Sequence, residues 1–265
     1  MDLPPLKIDR SLGLATIAKG TGYALCKSLM CHRCGHLFVD YRFSESEMQQ
    51  LYNDYRGPGY TELRELYEPG YMERNRVICE GISYISEVEA FLAEFLPASE
   101  IAVLDWGGDT GTNTPFADRR SVLHIFDPSA KDAGLTDRES FSNLPMQDVE
   151  YDLIVLSNVL EHIPFPDQTL TAIRPFMTRK TTLYIEVPLE SLQQAVDGPP
   201  YSGVSKKKHW HEHINFFTPQ SMETLLENSG FDIVARTILD HSTSHEKALG
   251  SAAILLQYAC TLARD

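Results

Sequence analysis

From residue 101 onward, short apolar runs alternate with helical segments, and no other feature restricts the accessible folds so tightly. The runs fall at 101–105, 122–127, 151–157, 181–187 and 231–237, with a last one near 252–260. They are rich in Val, Ile and Leu, the composition of strands buried on both faces. Helices are expected after Gly111, from about Asp167 to Met177, and from Thr218 to Asn228. The last is the best signed, with Thr218 as N-cap, Pro219 in the first turn and Gly230 just past the end. Such alternation predicts an α/β chain built on a mostly parallel sheet with helices on both faces.

Residues 1–70 read differently and predict a small N-terminal cap segment ahead of a main domain spanning 71–265. The cap holds the cysteine-rich stretch CKSLMCHRCGHLF and then a helix opening at Ser44, where Ser44 and Glu47 have capping-box spacing. A Gly57-Pro58-Gly59 break follows in a tyrosine-rich segment. Tyr52, Tyr55, Tyr60, Tyr67 and Tyr71 are candidates for a lid over an acceptor, although aromatic-rich helices more often pack as core. Between 71 and 96, apolar residues such as Ile78, Ile82, Ile85, Val88 and Leu92 recur near helical spacing, which predicts one amphipathic helix stopped by Pro97.

Charge and cysteine usage narrow the partners. A formal charge of −14 argues against nucleic acid, whose phosphates require a basic face; the short run Lys206-Lys207-Lys208 reads as a solvated loop. No apolar run reaches the length of a membrane span, and the first residues lack the apolar core of a secretory signal. Five cysteines, an odd number, predict a reducing, cytoplasmic setting rather than a disulfide framework. The expected partner is a small-molecule or carbohydrate acceptor; the oligomeric state is open.

The stretch VLDWGGDTGTN, at the end of the first strand, occupies the turn where an open α/β sheet binds its ligand. It has no Gly-Lys-Ser/Thr, so it cannot grip phosphates as a P-loop does. Asp105 ends the strand and Asp109 sits inside the loop, and two carboxylates would repel a pyrophosphate. They suit a cation such as S-adenosylmethionine, which carries a sulfonium and an α-ammonium. Asp127 closes the second strand, where a carboxylate can accept from both hydroxyls of a ribose.

At this point the chain resembles the class I S-adenosylmethionine-dependent methyltransferases, a Rossmann-like fold. The matching stretches are VLDWGGDTGTN, HIFDPS, YDLIVLSNVLEHIPFP, LYIEVP and HEHINFFTPQSMETLLENSGFDIV, covering roughly 101–237. The resemblance implies that Asp105, Gly107, Gly108 and Gly111 bind the methionine end of the cofactor, that Asp127 takes the ribose, and that Asn158 lies beside the methionine moiety. Asp109 departs from the family, which usually has glycine there. Either it accepts a positive φ, which Asp tolerates better than most residues, or the loop is reshaped.

For a hydroxyl acceptor the protein must supply alignment and a base, and histidine suits the base role. His162, in NVLEHIPFP, and His209, His211 and His213, in KKHWHEHINFF, are the candidates at the cleft. The combination resembles a subgroup that methylates deoxysugars on nucleotide carriers and has a cysteine-rich N-terminal piece. That resemblance implies His213 as base or acceptor-positioning residue, Glu212 beside it, and His162 as a second catalytic candidate. His209 and His211 read as loop surface, with a metal-binding run of alternate histidines as the lesser alternative. Cys31-x-x-Cys34-Gly is half of a zinc ribbon. A structural zinc would need Cys26, Cys31, Cys34 and a fourth ligand such as His36, His32 or Cys79, and a vestigial knuckle packed as small apolar side chains is the preferred reading.

The subgroup's large C-terminal domain has no counterpart here, which shifts the expectation toward O-methylation of a sugar or surface-polysaccharide unit. Three rivals remain: a methyltransferase of another small molecule, a non-catalytic interaction module, and a dinucleotide-dependent oxidoreductase or epimerase. The last would want a Tyr-x-x-x-Lys pair in the region from 101 onward, which has none.

Overall fold

The structure is a computed structural model that describes residues 28–40, 42–52, 55–67, 70–127, 138–141, 149–189, 213–242 and 254–264. Its main sheet has seven strands: β3 (Ile101–Trp106), β4 (Arg120–Phe126), β5 (Arg138–Phe141), β6 (Leu153–Ser157), β7 (Thr182–Pro188), β9 (Phe231–Asp240) and β10 (Ile254–Leu262). They lie in the order β5-β4-β3-β6-β7-β10-β9. The first five run parallel, while β10 is antiparallel to both its neighbours. The strand order reverses direction at β3, so the carboxyl ends of β3, β4 and β6 open into one crevice.

Alternate residues of β3 feed two cores. Ala102, Leu104 and Trp106 point to the face covered by α5 (Pro166–Ile173) and α6 (Pro219–Asn228), whose Leu170, Ile173, Met222 and Leu226 are fully buried. Ile101 and Val103 point to the other face, where α4 (Ile85–Leu92) contributes Val88 and Leu92. Burying each such side chain stabilises the fold by roughly 1.5–3 kcal/mol. The N-cap of α6 forms as expected: Thr218 Oγ1 accepts from the Ser221 amide, and Ser221 Oγ accepts from the Thr218 amide.

Two expected elements differ. The 71–96 stretch is broken into α3 (Tyr71–Glu80) and α4 by Gly81, whose φ of 124° no L side chain adopts comfortably. After Gly111 there is no α-helix, only a single 3₁₀ turn, Ala117–Arg119. The link from β3 to β4 is too short for one: running back along a six-residue strand of about 20 Å takes roughly 13 helical residues, and the whole link is residues 107–119. β5 was not expected from its sequence, Arg-Glu-Ser-Phe, which lacks an apolar run.

In the N-terminal segment, β1 (Ser28–Met30) and β2 (Leu37–Val39) form a hairpin, followed by α1 (Glu45–Tyr52) and α2 (Pro58–Tyr67). The Ser44–Glu47 capping box is present, and Pro58 opens α2 instead of merely ending α1. The hairpin takes a third strand, β8 (Asn215–Phe216), from the region ahead of α6, and Leu37, Val39, Ile214 and Phe216 form a small core of their own.

Candidate active site

The glycine loop is shaped by its backbone. Gly107, Asp109 and Gly111 have φ of 84°, 50° and 71°, so Asp109 does occupy the left-handed region. The Gly107 amide donates to the Phe126 carbonyl at 2.7 Å, and the Asp109 amide donates to Asp127 Oδ2 at 2.9 Å. One Asp127 oxygen therefore holds the loop. At Gly108 a Cβ would stand 2.5 Å from Asp105 Cγ, and at Gly107 one would stand 2.5 Å from Val159 Cγ2. The absence of side chains lets the loop fold down onto the Asp105 carboxylate and the turn after β6.

Asp105 is buried and accepts a short hydrogen bond from the Thr114 hydroxyl. Burial pushes its carboxyl up to about 6, with Asp127 and Asp109 adding to the rise. Asn158, just past β6, is also left-handed at φ 53°. Its Nδ2 donates to Glu186 Oε1 at 2.8 Å and its amide to the Glu186 carbonyl at 2.8 Å. Glu186 was not singled out in the sequence. It is fully buried on β7, and its carboxylate also accepts from Tyr84, Ser157, Tyr184 and Gln257.

The expected cofactor residues thus gather at the carboxyl ends of β3, β4 and β6. Three carboxylates with no lysine among them fit a cationic ligand bearing a diol, and the side-chain-free face at Gly108 fits a ligand pressed onto backbone. They do not fit a pyrophosphate.

On the far side of β6, His162 and His213 come together, their rings edge to face with centroids 4.6 Å apart. Glu161, 1% exposed, puts Oε1 at 3.6 Å from His162 Nε2. Asn215 braces the arrangement: its Nδ2 donates to the carbonyls of Leu160 (3.0 Å) and Ile163 (2.7 Å). The amides of Ile214 and Asn215 donate to the Glu161 carbonyl. Glu161 and Asn215 are additions to the sequence reading, within its LEH and HIN stretches. Glu212, His209, His211 and the Lys206–Lys208 run lie outside the described residues.

Cys31 and Cys34 share one turn, in which the Gly35 amide donates to the Cys31 carbonyl at 2.8 Å. Backbone amides, that of Cys34 foremost, lower the Cys31 thiol pKa. Among the described residues no third ligand joins them, and Cys26 lies outside those residues. His36 does not turn to the thiols; its ring packs on Phe217, centroids 4.9 Å apart, and burial lowers its pKa to about 4. Tyr52, Tyr55, Tyr60 and Tyr71 form an edge-to-face ladder with Arg56, Arg64 and Arg74 over its rings. Burial alone would lower the Arg56 pKa, but Tyr55, Tyr71 and Asp109 hold it above its ordinary value. The side chain of Tyr67 lies outside the described residues.

A seven-strand sheet of this order, with β10 reversed and an acid-lined glycine loop after β3, defines a class I S-adenosylmethionine-dependent methyltransferase. The profile of a methyltransferase-domain family matches residues 73–236, more than half of the chain, and the chain belongs to that family. Among solved structures, the Burkholderia thailandensis 1,6-didemethyltoxoflavin N1-methyltransferase, bound to 1,6-didemethyltoxoflavin and S-adenosylhomocysteine, shares the fold. The match has a TM-score of 0.55 at 14% identity and covers 90% of this chain and 100% of that one. A Bacillus halodurans protein classed as a methyltransferase matches with a TM-score of 0.51 at 12% identity, covering 69% of this chain and 100% of that one. No curated protein sequence gives a significant match.

Proposed function

We propose that the protein transfers a methyl group from S-adenosylmethionine to a hydroxyl of a carbohydrate-type acceptor, a nucleotide sugar or a surface-polysaccharide unit. The observation that carries the reading is the His162–His213 pair beside buried Glu161, at the end of the same strand that presents Asn158 to the cofactor side.

Asp105 would pair with the α-ammonium of the methionine moiety, and Asp127 would accept from the ribose hydroxyls with the oxygen that does not hold the Asp109 amide. Gly107, Gly108 and Gly111 would give backbone access, and Asn158, fixed by Glu186, would flank the methionine chain. The cofactor supplies an activated methyl group on a good leaving sulfur. The residues of this chain have to align the acceptor oxygen with that methyl and manage its proton. His213 is the favoured residue for this role, as base or as acceptor-positioning imidazole, with His162 and Glu212 as further candidates and Glu161 orienting His162. In the transfer the acceptor O–H proton would pass to the imidazole or to solvent as the O–CH₃ bond forms and the S–CH₃ bond breaks, with S-adenosylhomocysteine as the leaving group.

The test is calorimetric titration with S-adenosylmethionine and S-adenosylhomocysteine, with NAD as control, followed by assays of S-adenosylhomocysteine release on nucleotide sugars. Micromolar binding that Asp127→Ala abolishes, and sugar turnover that His213→Ala lowers by about 10²–10⁴ with cofactor affinity retained, are the expected results. Cofactor binding unchanged in Asp127→Ala, or hydroxylated sugars left untouched, would overturn the reading.

A further inference from the structure

Two distant parts of the chain, the turn after β6 and the segment entering β8, bring three metal-ligating side chains to one point. A carboxylate oxygen of Glu161, a ring nitrogen of His162 and a ring nitrogen of His213 all lie within 4.8 Å of one another. Ligands held at 2.0–2.2 Å by one ion stand roughly 3.0–3.5 Å apart. The Glu161–His162 pair, at 3.6 Å, is already close to that spacing, and His213 needs to close by at most about 1.5 Å. The two rings meet edge to face, so both imidazoles converge on the same point instead of stacking face on face.

We infer that Glu161, His162 and His213 form a binding site for one divalent first-row transition-metal ion, zinc or manganese. Two imidazoles and one carboxylate match that class, with positions left open for other ligands. Magnesium, which demands oxygen ligands, fits poorly. The surroundings agree with a built site. Glu161 is buried, and a buried carboxylate is stabilised by coordinating a cation. Asn215 and the Glu161 carbonyl lock the two backbone segments together through four hydrogen bonds, fixing the directions from which the ligands converge.

The role of the ion, but not its binding, rests on the acceptor reading above. Its open positions would take neighbouring oxygens of a polyol, and the bound hydroxyl would release its proton to solvent more readily than a free one. His162 and His213 then act as ligands, and orient the acceptor through the ion.

The experiment is metal titration of chelator-stripped full-length protein by calorimetry, with thermal unfolding recorded in parallel, using Zn²⁺, Mn²⁺ and Mg²⁺ separately. One Zn²⁺ or Mn²⁺ per chain is expected, raising Tm, with Mg²⁺ bound far more weakly. Glu161→Gln and His162→Gln should each weaken binding by more than about tenfold, while His209→Ala/His211→Ala and Cys31→Ala/Cys34→Ala should leave it intact. His162 carries the decision if Glu161→Gln fails to fold. Absence of Zn²⁺ and Mn²⁺ binding, equal binding in His162→Gln, or binding lost in either double variant would overturn the site. Metal binding here without sugar methylation would sink only the acceptor reading, and full activity in the presence of a chelator would sink only the role given to the ion.

Discussion

Asp105 lies buried beneath the glycine loop, and that sets its behaviour with pH. Asp105 has a folded pKa of about 6 against an ordinary 3.8, so it contributes stability below 3.8 that is lost as the pH rises through about 6. A bound cation offsets that cost, so cofactor affinity should rise over the same window. We expect S-adenosylhomocysteine to bind about tenfold more weakly at pH 5 than at pH 7.5, and Asp105→Asn to flatten this dependence; calorimetry at the two pH values checks both. Gly108 is the second test at this scale. In Gly108→Ala the new methyl would meet Asp105 Cγ at 2.5 Å. Displacing that carboxylate should cost roughly 1–3 kcal/mol of stability and most of the cofactor affinity, as urea unfolding and titration would read. The acids and glycines were legible because their chemistry is local. Glu186 was not, because LYIEVP reads as one more buried apolar run, and its partners Tyr84 and Gln257 lie 102 and 71 residues away.

Among the elements, strands were easier to read than helices. Buried parallel strands announce themselves by composition, and all six expected runs begin within two residues of a strand start in the structure, the one expected near 252 starting at 254. The missing helix after Gly111 was legible in principle, since Thr112, Asn113, Thr114 and Pro115 favour turns and the link is short. The familiar glycine-loop pattern obscured those cues. The split at Gly81 went unseen because apolar spacing continues across it. β8 could not be read at all, being two residues long and defined by its pairing with β2. Yet it positions His213. In Asn215→Ala the carbonyls of Leu160 and Ile163 lose that donor, at roughly 2–4 kcal/mol, and the β8 segment loosens from the turn bearing His162. A displacement of about 1 Å there costs on the order of a hundredfold in turnover. We therefore expect kcat to collapse while the Kd for S-adenosylhomocysteine stays within about twofold, a split that steady-state kinetics with calorimetry would reveal.

Across the whole molecule, Glu186 joins parts that sequence keeps far apart. Through Tyr84 it reaches the entry to α4, through Ser157 and Asn158 the end of β6, and through Gln257 the reversed strand β10. Tyr84 in turn stacks on His241, just past β9, with ring centroids 4.4 Å apart. The turn after β6 and the far edge of the sheet therefore share one buried side chain. The two oxygens are not equivalent: Oε1 accepts from Tyr84, Ser157 and Asn158, whereas Oε2 accepts from Tyr184 and Gln257. A glutamine can keep its carbonyl on the first group and turn its NH₂ to the second, where a tyrosine hydroxyl can rotate and an amide can flip to accept. A leucine offers no acceptor to either group and strands the Asn158 amide. Glu186→Gln should thus cost about 1–2 kcal/mol and keep cofactor binding, whereas Glu186→Leu should cost about 3–5 kcal/mol and lose it. Urea denaturation of both variants, with titration of S-adenosylhomocysteine into whatever remains folded, decides the matter: equal losses in the two would mean that the capacity of this side chain to accept hydrogen bonds does not hold the sheet to the site.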